Sequence, residues 1–200
     1  MNNANHPKAG SSIKVEPIRK KVAIDRIKGN LLHRGAYRDH CFFTLGINTA
    51  FRANELLSLT LGQVAYLRAG DALSVKQSKN RKHRTVTLNR VAYQAVQDYL
   101  KHDSFLRDAD DDQPLFYSKK GWVLSVPTVS RMVKHWCQDA GLRGNYGSHT
   151  MRKTWGYWQY KRGKPLPLLM EAFGHATQQQ TLAYLCIQSQ DVQEIYDLEL

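Results

Sequence analysis

Residues 72–89 read ALSVKQSKNRKHRTVTLN, and the reading of this stretch decides the fold. Elsewhere in the chain apolar residues recur at helical spacing. Here "ALSVKQ" and "RTVTLN" alternate apolar with polar and use Val and Thr, which suit a half-buried strand. The residues between them, "SKNRKH", are polar and basic. Two short strands joined by such a connection form an antiparallel hairpin. The architecture expected from this is α+β, mainly helical, with one small antiparallel β-sheet.

Working outward toward the N-terminus, "ANELLSLT" predicts a short helix over 53–60 carrying Leu56, Leu57 and Leu59. "YRDHCFFTLGINTAF" predicts a strongly apolar helix over 37–48. From Val22 the pattern is again helical, with Val22, Ile27, Leu31 and Leu32 lining one face. Toward the C-terminus a helix is expected over 91–102. "LFYS" and "WVLS" then flank the turn "KKG". "PTVSRMVKHWCQDAG" has Pro127 in its first turn and Gly141 just past its end. "SHTMRKTWGYWQYKRG" is expected to start at a Ser148 cap and end at Gly163. Further helices follow in "LPLLMEAFG", "QQQTLAYLCI" and "SQDVQEIYDLEL". No internal repeat or linker divides the chain. Residues 1–20 read as a disordered polar tail, 21–188 as one domain, and 189–200 as a separate acidic C-terminal helix.

The 200 residues carry 29 Lys+Arg against 17 Asp+Glu, a net charge of +12. That excess favours a polyanionic partner, nucleic acid before an anionic membrane surface. No apolar run reaches the length of a membrane span, and "MNNANHPKAGSS" has no signal core. Cys41, Cys137 and Cys186 are far apart, odd in number and set among apolar neighbours. They read as buried reduced thiols of a cytoplasmic protein, with no C-x-x-C pair to hold zinc.

Four charged places require explanation. Arg52 stands between an apolar helix and the next amphipathic one, with Glu55 three residues on to hold its guanidinium. The hairpin tip carries Lys76, Lys79, Arg81, Lys82, His83 and Arg84, six potentially cationic groups in nine positions. "HTMR" sets His149 and Arg152 on one face near a helix start, with Lys153 following. "FGHATQQQTLAYLCI" (173–187) sets His175 nine residues before Tyr184. Each alone is ordinary: an ion pair, a solvated turn, a chance H-x-x-R, a core histidine. Together they supply what a tyrosine nucleophile needs in phosphoryl transfer. Two arginines neutralise the non-bridging oxygens. A base or hydrogen-bond partner serves a phenol whose free pKa is about 10. A lysine on the hairpin can protonate the leaving 5′-oxygen. The scheme needs no metal or other cofactor.

With these residues in place the chain resembles the tyrosine recombinases, or phage integrase family. The matching pieces are "GINTAFRANELLSL", "VKQSKNRKHRTVTL", "HTMRKT" and "FGHATQQQTLAYLCI", spread over about residues 20–190. The resemblance implies a tyrosine-recombinase catalytic domain without a core-binding domain. It implies a site-specific recombinase that cleaves and rejoins DNA through a 3′-phosphotyrosine. The catalytic set it implies is Arg52, Lys79, His149, Arg152, His175 and Tyr184. Lys76 and Lys82 share the hairpin with Lys79, which is preferred because it stands at the start of the turn, seven residues before Val86. Lys76, Arg81, Lys82, Arg84 and Lys153 are expected to contact DNA. Phe173 stands where the family more often has leucine, which reads as a change of volume only. The resemblance also implies self-association, as a tetramer on paired DNA sites, with 189–200 docking on a neighbouring subunit. Two other readings compete: a DNA-binding regulator on the same fold, and a metal-dependent nuclease built on "DADDD" (108–112).

Overall fold

The computed structural model describes residues 14–76, 83–118 and 120–187. Lys79, Arg81 and Lys82, and the expected C-terminal helix 189–200, therefore lie outside the described residues. Among those described, the hairpin is present as β1 (Ala72–Lys76) and β2 (His83–Thr87). The strands are antiparallel, with Leu73 opposite Val86 and Lys76 opposite His83. Leu73 and Val75 are buried, so the alternation seats one face on the core.

The helices follow the predicted order, except that a short one over Ser104–Arg107 was not expected. They are α1 (Lys21–His33), α2 (Tyr37–Thr49), α3 (Ala53–Leu57), α4 (Arg90–His102), α5 (Ser104–Arg107), α6 (Val126–Asp139), α7 (Thr150–Lys161), α8 (Leu166–Phe173) and α9 (Gln178–Leu185). α2 runs through the centre, with every residue from His40 to Gly46 buried. Gly46 lets α7 approach it: a Cβ there would lie 2.6 Å from Met151 Sδ. This crossing brings the end of α2 to the start of α7. A second, smaller core of Ala50, Leu169, Phe173 and Leu185 joins α8 and α9 to that point, with Trp155 and Tyr184 packed against it.

Several expectations change. The buried face of α1 is Ala23, Ile24, Ile27 and Leu31, whereas Val22 is 69% exposed. At 100° per residue Val22 falls off the stripe that Ile27 and Leu31 define. α3 stops at Leu57 because the chain beyond it goes extended, Leu61 N–H donating to Gln113 O and Leu115 N–H to Leu59 O. Ser148 does not cap α7. His149 occupies the N-cap position, and the Thr150 hydroxyl accepts from Gly147 N–H at 3.0 Å. The tail expected over 1–20 ends sooner: residues 14–20 are ordered and Ile18 is 1% exposed. Ile18 N–H donates to Thr154 Oγ1 (2.8 Å), Trp158 Nε1–H donates to Ile18 O (3.0 Å), and Glu16 N–H donates to Asn145 O (2.8 Å). Cys41 and Cys137 are buried as expected, but Cys186 is only partly so.

Candidate active site

Arg52 is the N-cap residue of α3. Its backbone N–H donates to Glu55 Oε2 (2.7 Å) and its Nη1 to Glu55 Oε1 (2.8 Å). Glu55 is buried while the Arg52 side chain is 39% exposed. The carboxylate is thus used up inside, and the guanidinium is held in one pose facing out. The turn that delivers Arg52 contains Ala50 at φ 55, a left-handed conformation that costs a non-glycine residue about 1–2 kcal/mol. Two contacts hold it: Ala50 is completely buried, and its carbonyl accepts from Arg152 Nη1.

Arg152 is itself 2% exposed. Its Nη2 donates to Phe173 O (3.1 Å), and its guanidinium lies 4.9 Å from the centre of the Phe173 ring. Burial, with Arg84 and Arg52 nearby, brings its pKa down to about 10, so it remains charged at neutral pH. Arg84 departs from expectation. It projects from β2 over the Phe51 ring (5.8 Å), half-buried, and lines a cleft with Arg52, Glu55, Trp155, Glu171 and Gly174. It belongs with the arginines of the site and not with the outer tip of the hairpin. Lys76 is exposed at the end of β1.

α8 ends at Gly174 with φ 69, and this left-handed turn aims His175 back at α9. His175 Nδ1 lies 3.0 Å from Thr181 Oγ1, and its ring is 5.0 Å from the Tyr184 ring. α9 is capped by the Thr177 hydroxyl, which accepts from Gln180 N–H. Seven residues on, the Tyr184 hydroxyl lies 3.4 Å from His149 Nδ1. Burial lowers the pKa of His149, and Arg152, Lys153 and Arg52 lower it further. The ring is therefore neutral at pH 7 and has a lone pair for the phenol proton. Burial raises the pKa of Tyr184, while Arg152, Arg52 and Arg84 oppose the rise. The phenol is protonated at rest, in a field that favours its anion.

The structure thus brings Arg52, His149, Arg152, His175 and Tyr184 together and adds Arg84. Lys153, expected on DNA, is instead 6% exposed and lies beneath Tyr184. Phe173 is more than a change of volume: its ring meets Arg152, His175 (5.2 Å) and Tyr184 (5.1 Å) at once. The sequence signal for it was its place directly before the Gly-His pair. The acids of 108–112 lie on a surface turn, where the Asp111 carbonyl accepts from Gly62 N–H. Among the described residues no three His, Cys, Asp or Glu side chains gather to hold an ion, and no helix is long and apolar enough to cross a membrane.

Comparison with known proteins accords with this fold. The model of the phage integrase family matches residues 22–191, and the chain belongs to that family. A probable integrase/recombinase of Bacillus subtilis, YoeC, is 30% identical over 183 residues, covering 91% of this chain and 95% of its own. Tyrosine recombinase XerC of Chlamydia trachomatis is 27% identical over 161 residues, covering 80% of this chain and 50% of its own. The chain therefore spans nearly all of the first relative and half of the second. Among solved structures, the XerA recombinase superposes with a TM-score of 0.74 at 20% identity, over 91% of this chain and 65% of its own. The XerH site-specific recombinase, bound to palindromic difH substrate in a post-cleavage complex, gives 0.71 at 22% identity, over 92% and 54%. Likenesses at this identity establish the fold.

Proposed function

We propose that the protein is a site-specific DNA recombinase, and that Tyr184 attacks a DNA phosphodiester to form a covalent 3′-phosphotyrosine. The observation that carries this reading is the Tyr184 hydroxyl, 3.4 Å from a neutral His149 and within the field of three arginines. His149 accepts the phenol proton as the oxygen bonds to phosphorus. Arg52 and Arg152 stabilise the charge that develops on the non-bridging oxygens, an effect larger in the transition state than in the ground state. Arg84 adds a third positive group beside them. His175, oriented by Thr181, supplies a hydrogen bond to the same phosphate. Lys79 protonates the leaving 5′-oxygen, and no step calls for a metal. The partner is double-stranded DNA, held by Lys76, Arg81 and Lys82 as well as by the site. Strand exchange further requires copies of the chain paired on two sites, as a tetramer in the bacterial cytoplasm, with 189–200 as the segment that links them.

A non-recombining regulator on the same fold would have no use for a phenol paired with an uncharged base. The test is incubation with a nicked suicide substrate in excess chelator. A detergent-resistant protein–DNA adduct is expected. Binding without an adduct would favour the regulator, and cleavage that appears only when divalent metal is restored would favour a nuclease.

A further inference from the structure

Lys153 follows Arg152 in α7 and carries a charge, yet it is 6% exposed. Its ammonium lies 4.8 Å from the centre of the Tyr184 ring, and Nζ donates to Cys186 Sγ at 3.5 Å. Cys186 closes α9 at φ 57, a left-handed conformation that a non-glycine side chain resists. It is held from several sides. Its N–H donates to Ala183 O (3.3 Å), its carbonyl accepts from Arg19 Nη2, and its thiol donates to Val15 O (3.6 Å). Cys186 thus joins the end of α9 to the ordered segment 14–19, and Lys153 ties it to α7. An ammonium is costly to bury, and such strained turns persist where their surroundings over-determine them.

We propose that Lys153 is a positioning residue for Tyr184: its ammonium, clamped between the tyrosine ring and the Cys186 thiol, fixes the end of α9 so that the phenol oxygen stays beside His149. The catalytic part of this proposal rests on Tyr184 being the nucleophile. The groups that face the ammonium are Tyr184 and Cys186 at the end of α9, and Lys14 and Glu16 on the N-terminal segment. Burial lowers the Lys153 pKa below 10.5; Lys14 adds to the shift, while Cys186 and Glu16 oppose it. The clamp therefore opens as pH rises through that lowered value.

Lys153→Met, Lys153→Arg and Cys186→Val are compared with the parent in three assays. These are covalent capture of a suicide substrate, hydrogen exchange over 182–187, and DNA affinity against salt. Lys153→Met is expected to slow capture about 10- to 100-fold, the cost of a nucleophile displaced by about an ångström. It is also expected to speed exchange at 185–187 while leaving affinity and its salt dependence unchanged. Cys186→Val should loosen the same segment. Lys153→Arg should recover capture and move the alkaline fall in rate to higher pH, because a guanidinium stays charged. Normal exchange and normal capture in Lys153→Met would overturn the proposal. So would normal exchange with a salt slope reduced by about one, the signature of a phosphate contact. If the parent itself forms no adduct while exchange in Lys153→Met still rises, the nucleophile assignment fails and the clamp stands.

Discussion

Gly156 gives the sharpest structural prediction, because Gly156→Ala adds one methyl group at the place where the site's aromatic support is densest. A Cβ on Gly156 would lie 2.7 Å from Leu185 Cδ2 and 2.8 Å from Phe173 Cε2, and nearer still to Phe173 Cζ. Ordinary contact begins at 3.4 Å and Phe173 Cζ would lie at 2.4 Å, so the ring has to retreat by about 1 Å. Both neighbours are buried, Phe173 at 2% and Leu185 at 0%, and neither has free space to enter. Overpacking of this kind costs about 1–3 kcal/mol, and the better helix propensity of alanine returns about 1 kcal/mol. A net loss of about 1 kcal/mol should appear as a lower denaturation midpoint with unchanged slope. The effect on chemistry should be larger, because the displaced ring touches Arg152, His175 and Tyr184. A shift of such size in three reacting groups should slow single-turnover capture by roughly 10- to 100-fold. Adding Phe173→Leu, which removes the clashing ring atoms, should recover part of the lost stability. If Gly156→Ala is as stable as the parent and captures DNA at the parental rate, Phe173 does not organise the site.

Other perturbations separate the roles of the remaining groups. Arg52→Ala and Arg152→Ala should each slow cleavage about 10²- to 10³-fold while weakening DNA binding far less, and lysine should substitute poorly because it lacks the planar fork. Equal losses in affinity and rate would make them simple phosphate ligands. The capture rate should fall on the acid side with a midpoint below 6.5, since the pKa of His149 is lowered and its protonated ring cannot accept the phenol proton. The same sign applies to stability: the neutral histidine is favoured in the fold, so its contribution is complete above 6.5 and is lost as pH drops below that value. A midpoint above 6.5 would show that the fold favours a charged ring. Ile18→Ala should lower stability by about 2–5 kcal/mol, as expected for a fully buried isoleucine, and an unchanged unfolding midpoint would return residues 14–19 to the tail.

What the sequence made legible follows from how local each signal is. The hairpin was readable because strand period is set by neighbouring residues, and the helices because their apolar stripes repeat every three to four residues. Arg52, His149, Arg152, His175 and Tyr184, which the fold gathers, stand in three of the boxes that the sequence displays. Lys153 was expected on DNA because of its charge, yet it is buried. Its burial depends on Cys186 and Val15, which the chain brings in from 33 residues downstream and far upstream. Residues 14–20 look like a tail in isolation, and only Thr154 and Trp158, more than 130 positions away, give Ile18 its partners. Phe173 looked like a leucine substitute because nothing local reveals that its ring meets three other side chains.

The most direct measurement is to trap the enzyme on a nicked duplex, digest the complex and locate the DNA-bearing residue by mass spectrometry, with Tyr184→Phe in parallel. A nucleotide joined through its 3′-phosphate to Tyr184 is expected, with no adduct in the phenylalanine variant, whose fold and DNA affinity remain intact. An adduct on another residue, a 5′-linked nucleotide, or an undiminished adduct in Tyr184→Phe would contradict this assignment.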